Sequence, residues 1–218
     1  MQFNYYTTLI LSSSILIPAI IAIFRYNQIS SVYRPFIYLI WIGCLAEILG
    51  AYFAYVYQNN AAVGAIYRLC ESLFLLWFFS KLGIFNNHKS LLYFLTLVFI
   101  IIWFAEVFFS KSFSNFTFYF DMAYALTIVL LSIRSVNDLL FVEKDLLRNP
   151  TFLICVGLII FFTYQIIQRM FGLYGLKDSL DFRRNVQRIL SIINCLTNLI
   201  YALAVLWMRK RQPFKFQF

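Results

Sequence analysis

The chain has 218 residues, 62% of them hydrophobic and only 12% charged, with a net charge of +9. Soluble domains carry about 45–50% and 25% respectively, so the composition excludes a soluble globular domain. The connections between apolar stretches are too short to hold a catalytic, kinase or nucleic-acid-binding domain, and the positive charge reads as a report of membrane orientation rather than of a nucleic-acid partner.

Seven stretches run about 20 residues with almost no charge, at 7–24, 35–57, 61–80, 90–109, 114–133, 150–168 and 189–208. A hydrocarbon core of about 30 Å takes roughly 20 helical residues to cross, and spans of this length are helices and not barrel strands. The predicted fold is therefore all-α: a polytopic membrane protein with one seven-helix transmembrane domain over 1–218, embedded in a lipid bilayer. The first stretch lacks a basic leader and a small-residue cleavage pattern, and Pro18 interrupts it, so it reads as an uncleaved anchor. Pro35 and Pro150 stand at helix starts, where a missing N–H costs nothing. Segment 137–148 alternates apolar and charged residues at helical spacing and predicts a short interfacial extension of helix 5. The tail RKRQPFKFQF reads as an anchor among headgroups. Cys44, Cys70, Cys155 and Cys195 all fall inside predicted helices, as free thiols packed like small apolar groups.

Basic residues set the predicted orientation. Eleven of the 18 Lys and Arg lie in the loops after helices 1, 3 and 5 or in the tail, from Arg25 and Arg34 to Lys215. The positive-inside rule then puts the N-terminus outside and the C-terminus in the cytosol. Loop 172–188, with Lys177, Arg183, Arg184 and Arg188, dissents. RPFIYLIWIG (34–43) and RNPTFLICVG (148–157) echo each other, each with a proline at the edge and a glycine later. The echo suggests a parallel three-plus-one-plus-three pseudo-repeat, the plan of some small transporters.

Ionisable groups within such spans are costly, about 2.5–3.5 kcal/mol each at mid-helix, and so mark interiors, cavities or functional sites. Glu47 lies about 20 Å from the cytosolic edge and Glu71 about 15 Å from the outer one, which puts both in the outer half. Arg68, three residues before Glu71, can pair with it. On helix 7, Arg184, Arg188, Ser191, Asn194, Asn198 and Tyr201 draw one polar stripe. Gln165, Gln168 and Arg169 on helix 6, with Glu106, Asp121 and Tyr124 on helices 4 and 5, lie at similar depth. Glu106, Asp121 and Arg169 are also near enough to the interface to snorkel. Two readings stand: an outward-open ligand pocket drawing on Glu47, Arg68, Glu71, Asp121, Gln165, Arg169, Asn194, Asn198 and Tyr201, or interhelical ties that hold the bundle together.

Several chemistries lack their residues. Span 189–208 has no Lys for a retinal Schiff base, and the single histidine, His88, lies in a loop. HExxH, GxSxG and P-loop patterns do not occur. No catalytic residue, metal site or cofactor is assigned.

IYRLCESLFLLWFF (66–79), LLRNPTFLICVGLIIFF (146–162) and NLIYALAVLWM (198–208) resemble blocks of small seven-helix membrane proteins of Bacteroidota-type bacteria. The resemblance implies the helix count and draws attention to Glu71 and the helix-7 asparagines; it implies no activity. The leading expectation is a ligand-sensing or accessory component that acts through a separate partner protein on an unknown small-molecule ligand. A small-solute transporter and a lipid-modifying enzyme are the alternatives.

Overall fold

The computed structural model describes residues 11, 13–109, 118–141, 143, 145–173 and 180–208. The described residues form seven α-helices: α1 (Leu16–Arg25), α2 (Arg34–Tyr57), α3 (Ala61–Lys81), α4 (Lys89–Phe109), α5 (Phe118–Leu140), α6 (Pro150–Leu173) and α7 (Leu180–Trp207). Six of them, α2 to α7, are long and apolar enough to cross a membrane. The described part of α1 has 10 residues, preceded by a 3-10 turn at Ser13–Ile15; the start of the predicted 7–24 span lies outside the described residues. The protein is thus an all-helical, multi-pass membrane protein.

Several boundaries differ from the sequence expectation, among them the end of α6, at Leu173 and not 168. Helix α5 continues to Leu140, past the predicted end at 133, and so takes in Arg134, Asn137 and Asp138. Helix α7 starts at Leu180, well before 189. At 1.5 Å per residue its 28 residues reach about 42 Å, more than the hydrocarbon thickness, so its first polar turns extend beyond the apolar window that sequence reading detects. Among the described residues, which leave out 142 and 144, the predicted extension over 137–148 is helical through Leu140 and returns as a separate 3-10 turn, Leu146–Arg148. A new helix start explains the break. Asn149 Oδ1 accepts the backbone N–H of Thr151 at 2.9 Å and of Phe152 at 3.4 Å, and Pro150 occupies the first helical position.

The chain divides into two compact units, Met1–Ile23 with Ala125–Trp207, and Phe24–Tyr124 with Met208–Phe218. In the second unit, α2 and α3 form a hairpin closed by Gln58 in the left-handed region (φ 52°) and by Asn59 Oδ1, which accepts the Ala61 N–H. Phe36, Ile37, Leu75, Leu76, Phe78 and Phe79 fill its core. Helix α4, the most apolar (mean hydropathy 2.4), buries little and exposes Tyr93, Phe94, Leu97, Ile101 and Phe104. Such a face suits lipid and not water.

In the first unit, α6 packs against α7. Tyr164 donates from its hydroxyl to the Val186 carbonyl at 3.1 Å, and the rings of Phe171 and Phe182 meet edge-on at 5.5 Å. Gly157 lets the two helices approach: a Cβ there would lie 2.5 Å from Tyr201 Cε1. Small residues at helix contacts serve this purpose in membranes, where close packing replaces the hydrophobic effect as the driving force. Gly157→Ala should therefore lower stability by about 1–3 kcal/mol, read as a fall in melting temperature in detergent. Tyr201→Leu in the same chain should recover part of that loss, whereas Tyr201→Phe, which keeps the ring, should not.

Candidate functional site

Helix α3 carries the centre of the site. Tyr67, Arg68 and Glu71 fall within four residues of one another on one helical face. Glu71 is buried, and both its oxygens are occupied. Oε1 accepts the Tyr67 hydroxyl at 3.1 Å, one helical turn away, and Oε2 accepts the Tyr124 hydroxyl at 2.9 Å from the first turns of α5. Arg68 Nε stands 2.9 Å from Asp121 Oδ1; the arginine side chain keeps 20% of its surface accessible and the aspartate none. The spacing of three does bring the Arg68 charge to bear on Glu71, and the guanidinium also makes a contact at ion-pair distance with Asp121. Helix α5 delivers Asp121 beside the guanidinium, while the tyrosine hydroxyls engage Glu71. Asp121, near enough to a helix end to snorkel by sequence, is instead fully buried.

Aromatic packing aligns α5 for this role. Phe120 stacks on Tyr124 at 5.1 Å and meets Phe99 of α4 edge-on at 6.0 Å. The Trp103 indole N–H of α4 donates to the Ala65 carbonyl of α3 at 3.0 Å. Glu106, also near enough to snorkel by sequence, has a definite task. Its two oxygens accept the backbone N–H groups of Tyr119 (2.8 Å) and Phe120 (2.9 Å), capping the start of α5. A carboxylate is favoured there because the first N–H groups of a helix lack partners and carry partial positive charge.

The other expected residues are distributed differently. Glu47 is exposed on α2, and the polar groups around Glu71 are Tyr124, Tyr67, Arg68 and Asp121, with Glu47 not one of them. Gln165, Arg169, Asn194, Asn198 and Tyr201 belong to the unit that contains α6 and α7. Asn198 is buried and donates from Nδ2 to Ser14 Oγ at 2.9 Å, and Ser14 in turn donates to the Leu11 carbonyl. The Asn194 carbonyl accepts the Thr197 hydroxyl at 2.9 Å, and Tyr201 packs its ring on Gly157. Gln165 and Arg169 are half-buried on α6. One turn along, Gln168 donates to Gln187 Oε1 of α7 at 3.2 Å.

No known protein family matches the chain, and no curated protein or solved structure matches it. The chemistry must be read from the side chains. One guanidinium beside two carboxylates leaves a formal charge of −1 when both acids are ionised. The acid in excess gives the cluster a net negative charge, and Arg68 gives it one accessible cation. Removing one member of a buried ion pair leaves the other uncompensated, at roughly 3–5 kcal/mol, and the partial exposure of Arg68 places this case at the lower end. Asp121→Asn should therefore melt well below the wild type. Arg68→Met combined with Asp121→Asn should recover more than half of the loss in a double-mutant cycle. Strictly additive losses would show that the pair is not coupled.

Proposed function

We propose that the protein is a ligand-sensing or accessory component of a bacterial inner membrane. Its N-terminus would lie outside, its C-terminus in the cytosol, and it would signal through a separate partner protein. The observation that supports this reading is the α3–α5 charge cluster, in which Glu71, Arg68 and Asp121 are held together by two tyrosine hydroxyls and one ion pair. Neutral ties join helices elsewhere in the chain, as Asn198–Ser14 and Trp103–Ala65 do. Three charged groups cost far more to insert than those contacts need, so their retention is better explained by a ligand than by helix packing alone. Arg68 is the accessible member and the cluster carries one carboxylate in excess, which suits a small solute bearing an amine together with an acidic group that can face the guanidinium.

A transporter of the three-plus-one-plus-three plan is the second reading, and one observation favours it. A groove of about 430 Å³ lies toward the far end of α5, where Arg134 and Asn137 stand among Leu130, Ile133, Val136, Leu140 and Ile159. A transported solute needs polar stations at both ends of its path, and Arg134 lies about 20 Å along the helix from Asp121.

Access can be measured without disturbing the cluster. Gly64 lies one turn before Arg68, and a Cβ there would sit 3.5 Å from the Arg68 Nη1, an ordinary contact. In a background with the four native cysteines replaced, Gly64→Cys should react with a membrane-impermeant thiol reagent added outside. A panel of amine-bearing solutes should raise the melting temperature of the wild type but not of Glu71→Gln. If Gly64→Cys stays unlabelled from outside while labelling after solubilisation, the outward pocket is wrong. Uptake of a stabilising amine into proteoliposomes would decide for transport.

A further inference from the structure

We propose that the end of the α2–α3 hairpin bearing Arg34 and Lys81 is a binding site for the phosphate headgroup of an anionic phospholipid. This site is separate from the Glu71 cluster and does not depend on its function.

Five rings form one connected surface there. Tyr26 meets Trp41 at 5.4 Å, and Tyr38 meets Trp41 at 6.0 Å, Trp77 at 6.1 Å and Phe74 at 6.5 Å. Phe74 and Trp77 lie 5.8 Å apart. Interfacial aromatic residues are ordinary in membrane proteins, but a belt spaces its rings around the perimeter, whereas these touch. The surface is not sealed: Trp77 is 42% exposed, and Tyr26, Tyr38, Trp41 and Phe74 are half-buried.

Two cations flank the ring surface. Arg34 precedes Tyr38 by four residues on α2, and Lys81 follows Trp77 by four on α3, so each shares a face with its ring. Tyr38 and Trp77 are in contact, which places the two basic residues on opposing helices above one aromatic pair; both are exposed. The Arg34 guanidinium also lies 5.7 Å over the Tyr26 ring, which orients its N–H groups and occupies the ring face that an ammonium ligand would use. A bare cation would meet repulsion here, and an anion would be attracted.

The phenols contribute a donor. The Tyr26 and Tyr38 hydroxyl oxygens are 2.7 Å apart. Two hydroxyls carry two protons, and one bond between them consumes one. The remaining O–H is left to donate to an acceptor such as a phosphate oxygen, beside the guanidinium. A free phosphate ion would use the charges and that donor but has no use for an adjoining shelf of indole and phenyl rings. A phospholipid uses both, with its glycerol and first methylenes along the rings.

Native mass spectrometry of the intact protein with equal amounts of phosphatidylglycerol and phosphatidylcholine tests this. The wild type should retain phosphatidylglycerol in preference. At about fivefold for each basic side chain, Arg34→Gln with Lys81→Gln should lower that retention roughly 25-fold and leave phosphatidylcholine unchanged. Arg34→Lys should keep it, as should Arg148→Gln, an exposed basic residue outside the cluster; both also control for general loss of fold. Equal retention of the two lipids, or undiminished retention by the double variant, would overturn the proposal. Displacement of the lipid by millimolar inorganic phosphate would overturn it too, because the site would then be reading the free anion.

Discussion

Charge kept away from water must be answered by the protein itself, and α3 is where this chain meets that demand. Ala65, Arg68 and Glu71 recur every three residues along it. Each engages a different group: the Trp103 indole from α4, the Asp121 carboxylate and the Tyr124 hydroxyl from α5. Three helices are fastened along one face of one of them. The remaining contacts in that unit, from Phe99 against Phe120 to Phe36 against Phe78, refine packing around this fastening.

In the other unit, hydroxyl and amide contacts and close approach join the described helices. Asn198 reaches Ser14, Tyr164 reaches the Val186 backbone, and Gly157 makes room for the Tyr201 ring. Interhelical hydrogen bonds in membranes average about 0.6 kcal/mol, so such contacts specify register more than they add stability. Ser132 and Ser135 extend the same economy along α5, where Asp121, Tyr124, Ile128 and Leu139 complete one buried stripe at spacings of three and four.

Much of the fold was legible in the sequence because lipid imposes a coarse rule on every span: length and lack of charge suffice to find it. The helix ends that fall outside the predicted spans, α5 beyond 133 and α7 before 189, carry charged turns that no apolar window includes, and only their polar periodicity marked them as helical. The polar residues of the site were legible as costly exceptions, so Arg68, Glu71 and Asp121 stood out. Their pairing was legible only in part. A spacing of three joined Arg68 to Glu71, whereas Asp121 comes from a helix some 50 residues on and carries no local mark of its partner. Glu106 was hidden for the same reason: a cap supplied by the preceding helix leaves no trace near the N-terminus it serves. The polar stripe on α7 was visible, but periodicity does not say whether a stripe faces a solute or another helix, and Asn198 faces Ser14.

That borrowed cap has a bearing on how the chain is built. A helix normally carries the residue that closes its own first turn, and can then form wherever it emerges. Here the described start of α5 rests on a carboxylate lodged in α4, so two N–H groups of its first turn are satisfied by a neighbour synthesised earlier. Order of synthesis and order of assembly then coincide: α4 serves as the template on which α5 starts, and the aspartate three residues into that start arrives already aimed at its arginine.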